Sequence, residues 1–126
     1  MQHDTRLVMT GVLGEVNSWA ESILPQFLDM TAGRQIELDV ARFSLLSGGD
    51  AFEAVQDIGR MAHKIAGTAA SFGFAALGDQ AQEVEGLCLR IERMPPAALA
   101  TAAHSEMLPA LERLMLELDL ILVTPL

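Results

Sequence analysis

Apolar residues along this chain recur at intervals of three and four, and that spacing leaves few folds open. Val55, Ile58, Ala62, Ile65, Ala69 and Phe72 form one such series. Leu77, Ala81, Val84, Cys88 and Ile91 form a second, and Leu108, Leu111, Met115, Leu118 and Leu122 a third. Each series puts one apolar stripe along one side of an α-helix. An earlier segment carries a broader stripe, with Ile36, Val40 and Phe43 beside Leu38, Ala41 and Leu45. No sustained alternation of period two occurs, so a sheet is not expected. Helices with one apolar stripe each bury it by packing against one another.

The helix-breaking residues fall between the stripes. Ser47-Gly48-Gly49 closes one helix, and Asp50 is placed to cap the next. Gly73 interrupts the pattern between the first two series, and Met94-Pro95-Pro96 breaks it again, with Pro96 in a first-turn position. Pro25 separates an N-terminal helix from the second, while Pro109 is expected to kink or restart the last, with Ser105 as its cap. Helices are therefore expected near 4–23, 25–46, 50–72, 75–92 and 97–122. Short connections make neighbours antiparallel. The expected fold is all-α: an up-down four-helix bundle over about 25–122 with an additional N-terminal helix, in a single domain spanning 1–126. A cap-like Asp4 and the closing Thr124-Pro125 favour a free-standing protein.

Composition excludes several functions. Eight Lys and Arg against 17 Asp and Glu give a net charge of -9, the reverse of what a phosphate backbone attracts, so nucleic acid is not an expected partner. A hydrophobic fraction of 51% excludes a disordered chain. No stretch is long and apolar enough for membrane insertion, and Met1-Gln2-His3-Asp4 does not resemble a signal peptide. The single cysteine, Cys88, continues an apolar stripe and fits a reducing, cytoplasmic setting. No metal-ligating spacing surrounds His3, His63 or His104.

One surface does not read as structural. Beside the core stripe of the helix near 50–72 lie Gln56, Gly59, Arg60, His63, Gly67 and Ala70, which line up one turn apart. Glycine inside a helix is about 1 kcal/mol worse than alanine. Placed four residues before and after His63, Gly59 and Gly67 are expected to clear side chains from around the imidazole for an approaching macromolecule. Lys64, the only lysine in the chain, follows His63, and Arg60 lies one turn upstream, so this patch suits an anion. If the chain reverses near Gly73-Phe74, Glu85 mirrors His63 across the two helices. A carboxylate accepting from Nδ1–H would leave the Nε2 lone pair free as a nucleophile. Gln82, one turn earlier, reaches the same region.

Ala62-His63-Lys64-Ile65-Ala66-Gly67-Thr68-Ala69 resembles the AHxLKGSA signature of histidine-containing phosphotransfer (HPt) domains. The following Ala70-Ser71-Phe72-Gly73-Phe74 is similar to the segment after the phosphoacceptor of chemotaxis histidine kinases, which also place a Glu 22 residues after the histidine, here Glu85. The resemblance implies that His63 carries a phosphoryl group exchanged with an aspartate of a response-regulator receiver domain. It makes receivers the expected partners, with a hybrid histidine kinase as a further candidate. Glu85 would orient the ring, and Lys64 would neutralise phosphoryl oxygens. Gly67 and Gly59 would admit the partner, with Arg60 and Gln82 as secondary contacts. No intrinsic cofactor is implied, because Mg²⁺ would sit in the receiver. The chain has no phosphate-cradling nucleotide loop and is expected to be a carrier, monomeric rather than dimeric, without kinase activity. One position departs from the signature, with Ala66 where the family often has Lys. That departure gives weight to the alternative of a docking module that binds receivers or kinases without accepting phosphate.

Overall fold

The computed structural model describes residues 23–123. The helix expected at 4–23, apart from Ile23, and the features at His3, Asp4 and Thr124-Pro125 lie outside those residues. The chain divides into two compact units, 1–30 and 31–126. Among the described residues there are helices and no strands: α1 (Leu24–Leu46), α2 (Ala51–Ser71), α3 (Ala75–Ile91), α4 (Pro96–Ala102) and α5 (Leu108–Val123), with a π-helical turn at Ala103–Met107 joining the last two. None of them is long and apolar enough to cross a membrane. Residues 24–30 of α1 belong to the first unit, and everything that follows concerns the second.

Two glycines shape the turns. Gly48 (φ +85°) and Gly73 (φ +81°) take left-handed conformations that a Cβ disfavours. Around each, the amides close a helix end in the same way. Gly48 N–H reaches Leu45 O while Gly49 N–H reaches Ser44 O, and Gly73 N–H reaches Ala70 O while Phe74 N–H reaches Ala69 O. The carbonyls of Ser44 and Leu45 in α1, and of Ala69 and Ala70 in α2, are thereby satisfied. Asp50 Oδ1 then accepts from Glu53 N–H at 3.0 Å and starts α2.

Burial follows the expected stripes on α2 and α3, except that Phe72, expected to end the α2 stripe, lies just past the helix and is half-buried. Val55, Ile58, Ala62, Ile65 and Ala69 on α2 are buried, as are Leu77, Ala81, Val84, Cys88 and Ile91 on α3. Polar pairs set the register of the outer helices. Arg42 on α1 bonds Glu112 on α5 at 2.9 Å, and Gln35 bonds Asp119. Arg113 on α5 bonds Glu83 on α3 at 2.9 Å. Gln80 on α3 also donates to Glu117 on α5 at 3.4 Å, so in each helix pair residue numbers rise on one side as they fall on the other, and α1 and α3 both run antiparallel to α5. Exposed ion pairs of this kind contribute at most about 1 kcal/mol. They select register, while apolar burial supplies stability.

Three further expectations are corrected. The broad stripe on α1 splits: Leu38, Ala41 and Leu45 are buried, whereas Ile36, Val40 and Phe43 are exposed at 66%, 65% and 69%. The last buried stripe runs from Met107 in the π-helical turn through Leu111, Leu114 and Leu118 on α5, with Leu108, Met115 and Leu122 only half-buried. Leucine is so frequent there that periodicity alone could not choose the face. Finally, Ser105 makes no cap. The helix passes through Pro109 by widening, with Leu108 N–H donating five residues back to Ala103 O. Pro109 has no N–H for Ser105 O and its ring would crowd that carbonyl in a regular α-helix, so a wider turn here accommodates it.

The two faces of α1 should behave differently. Leu38→Ala should lower unfolding free energy by about 2–5 kcal/mol, as expected for a fully buried leucine. Val40→Ala should change it by less than about 0.5 kcal/mol. Urea unfolding followed by circular dichroism measures both.

Candidate functional site

The α2–α3 turn occupies only residues 72–74, and contacts recur from Gly78 with Ala66 and Ala69 to Gly59 with Cys88, so the two helices run side by side and antiparallel. Small residues let them approach closely. A Cβ added at Gly59 would lie 3.0 Å from Cys88 Cβ, and one at Gly78 would lie 3.8 Å from both Ala66 O and Ala69 Cβ. Between these two contacts His63 and Glu85 meet, with Nδ1 2.7 Å from Oε2.

An ionised carboxylate can only accept, so His63 Nδ1 carries the proton in this hydrogen bond. In the neutral ring Nε2 then keeps its lone pair. The His63 side chain is 73% exposed and that of Glu85 25%, so the acid is the seated partner and the imidazole projects from it. The arrangement presents a nucleophilic nitrogen whose ring orientation is held from behind.

Two open hollows flank the ring. One is lined by Gln56, Gly59, Arg60, Glu85, Cys88 and Leu89 among others. The second is lined by Arg34, Lys64, Gly67, Thr68, Ser71 and Phe72, and His63 borders both. Lys64 borders both as well, and it also reaches the groove between α1 and α2 that contains Ile36, Val40 and Asp57. Among the described residues no ion pair engages Lys64. Arg60, by contrast, is ion-paired with Asp57 one turn back on its own helix.

The two glycines differ. Gly67 has nothing within 4 Å of where its Cβ would be, so the surface beside His63 is open on that side. Gly59 is half-buried and turned toward Cys88 on α3. Gln82 is exposed one turn before Glu85 and borders neither hollow. The hydroxyls of Thr68 and Ser71 donate back to Lys64 O and Gly67 O, which engages their protons within α2. His104 lies away from the site, its Nδ1 2.9 Å from Ala100 O on its own helix.

Two features escaped the sequence reading. Arg34, on α1, shares a hollow with His63 although 29 positions separate them, and only the packing of α1 on α2 brings it there. The exposed Ile36, Val40 and Phe43 lie on that same helix. Their only sequence signal was a stripe too broad for one buried face.

The site is thus an exposed imidazole on a helical scaffold, backed by a carboxylate on the neighbouring helix and bordered by cations. The family comparison agrees: the Hpt domain model matches residues 22–119, which is most of the chain, and the protein belongs to the Hpt domain family. Hpt domains act in histidine phosphotransfer in two-component signalling, where they interact with kinases and receiver domains. Compared with the curated proteins and with the solved structures, the chain matches none.

Cys88 sits beneath this site and is chemically quiet. Burial, reinforced by Glu92 and Glu85, pushes its thiol up to about 12 from 9.0. The unfolded chain therefore releases this proton before the folded one does. The corresponding stability is complete below about pH 9 and is lost as pH rises toward 12. Between pH 9 and 10.5 the urea midpoint should fall more steeply for the wild type than for Cys88→Ala. Parallel slopes would contradict a buried neutral thiol.

Proposed function

We propose that this protein is a cytoplasmic phosphorelay intermediate, an up-down four-helix bundle that carries a phosphoryl group on His63. Its partners are response-regulator receivers, with a hybrid histidine kinase as a further source of the group, and it works as a monomer. The observation that carries this reading is the 2.7 Å bond from the exposed His63 ring to Glu85, which assigns the free lone pair to the outward nitrogen.

In the forward step His63 Nε2 attacks the phosphorus of an aspartyl phosphate on the receiver. The P–N bond forms as the acyl P–O bond breaks, and the aspartate leaves as a carboxylate. Positive charge grows on the ring during attack, and the Glu85 carboxylate lies against it. The reverse step returns the group to a receiver aspartate. The receiver supplies the Mg²⁺ that this chemistry uses. Lys64 and Arg34 border the hollow where phosphoryl oxygens would lie, and the charge of Lys64 offsets the alanine at 66. Gly67 leaves room for the receiver's loops. The exposed apolar residues of α1 extend the docking surface along the groove that Lys64 also borders.

Incubation with a phosphorylated receiver should yield acid-labile, base-stable label on the wild type and none on His63→Gln. Label retained by that variant would end the proposal, and a wild type that binds the receiver without acquiring label would establish a docking module instead. Glu85→Ala, which removes the acceptor, should remain folded and transfer more slowly. A hydrogen bond to a charged group contributes about 1.5–3 kcal/mol, so the loss should be about ten- to hundredfold if that bond strengthens fully in the transition state. Gly67→Leu should block transfer while leaving helicity unchanged.

A further inference from the structure

We propose that Gly59 is a positioning residue: through its contact with Cys88 it sets how closely Glu85 approaches His63. The inference deepens the phosphoacceptor reading of His63, and its decisive measurement needs no phosphoryl donor.

The contact at Gly59 has little slack. A methyl group there would stand 3.0 Å from Cys88 Cβ and 3.8 Å from Sγ. Cys88 is 1% exposed, and its Cβ is bound directly to the backbone, so no rotamer change moves that atom away. Relief requires the helices themselves to separate by a few tenths of an ångström.

Position along the helix pair decides what such a separation does. His63 follows Gly59 by one turn on α2, and Glu85 precedes Cys88 by one turn on α3. Because the helices are antiparallel, these are neighbouring rungs of one ladder. At its far end the ladder is tied by the short Gly73 turn and by the packing of Gly78 on Ala66 and Ala69. A wedge at the Gly59–Cys88 rung opens the pair about that tied end. The His63–Glu85 rung lies between wedge and tie, so it lengthens too. The 2.7 Å bond is at the short end of its range, where tenths of an ångström and small misalignments weaken it. With Glu85 drawn off, the neutral ring is no longer held with its proton on Nδ1.

Histidine-labelled ¹⁵N NMR of the isolated protein, at a pH where the ring is neutral, reads this directly. The His63 resonance is assigned by its loss in His63→Gln. In the wild type Nε2 should be unprotonated. Gly59→Ala should shift His63 toward the Nε2–H tautomer, with circular dichroism unchanged. Cys88→Val, which enlarges the same contact from the opposite helix, should shift the ring in the same direction. Gly59→Ala combined with Cys88→Gly exchanges the small residue between helices and should restore the wild-type tautomer. Transfer from a phosphorylated receiver should fall about threefold or more in Gly59→Ala and recover in the double variant.

A wild-type tautomer in both Gly59→Ala and Cys88→Val overturns the inference. So does failure of the double variant to recover, and so does slower transfer with an unchanged tautomer, which would make Gly59 a partner clearance. A wild type that takes no label refutes the phosphoacceptor reading and leaves the tautomer result standing.

Discussion

The close approach of α2 and α3 is the constraint on which the rest of this protein depends. Two helices joined by a three-residue turn and packed side by side still have a choice of distance. Side chains of ordinary size would hold the axes further apart. Gly59, Gly78, Ala66 and Ala69 bring them together along the seam, and a histidine on one helix then comes within hydrogen-bond reach of a glutamate on the other. The chemistry of the site is thus a consequence of what the seam lacks.

That seam also separates two jobs that one face of a helix usually cannot do together. Ala62, Ile65 and Ala69 are buried, while His63, Lys64 and Gly67 between them are exposed. The buried residues make α2 a central support, so the imidazole stands on backbone held from several sides. A reactive group on a loop would have freedom to turn, whereas this one has a fixed base and a carboxylate behind it. Precision comes from burial one residue away.

Much of this was legible because it is local. Period, caps and turn glycines act within a few residues, so Asp50, Gly48 and Gly73 announced their roles, and reflection about position 74 paired His63 with Glu85. The parts that could not be read depend on which helix packs where. Arg34 carries no local sign of standing near His63. The stripe on α1 contained both buried and exposed apolar residues, and only tertiary packing distinguishes Leu38 from Val40. On α5 an excess of leucine erased the periodic signal. The π-helical turn ahead of Pro109 was hidden for another reason: proline signals a disturbance without specifying whether the helix caps, kinks or widens.

Gly59 shows how the two kinds of information combine. From sequence, two glycines equally spaced about a histidine are equivalent, and both read as space for a partner. The structure breaks that symmetry because α3 covers one side of α2 more closely than the other. An absent side chain that faces solvent leaves room for something to arrive, as at Gly67. An absent side chain that faces a neighbouring helix lets that helix come nearer, as at Gly59. The same residue type, four positions to either side of one imidazole, therefore acts outward in one case and inward in the other. The direction is set by the neighbour rather than by the glycine.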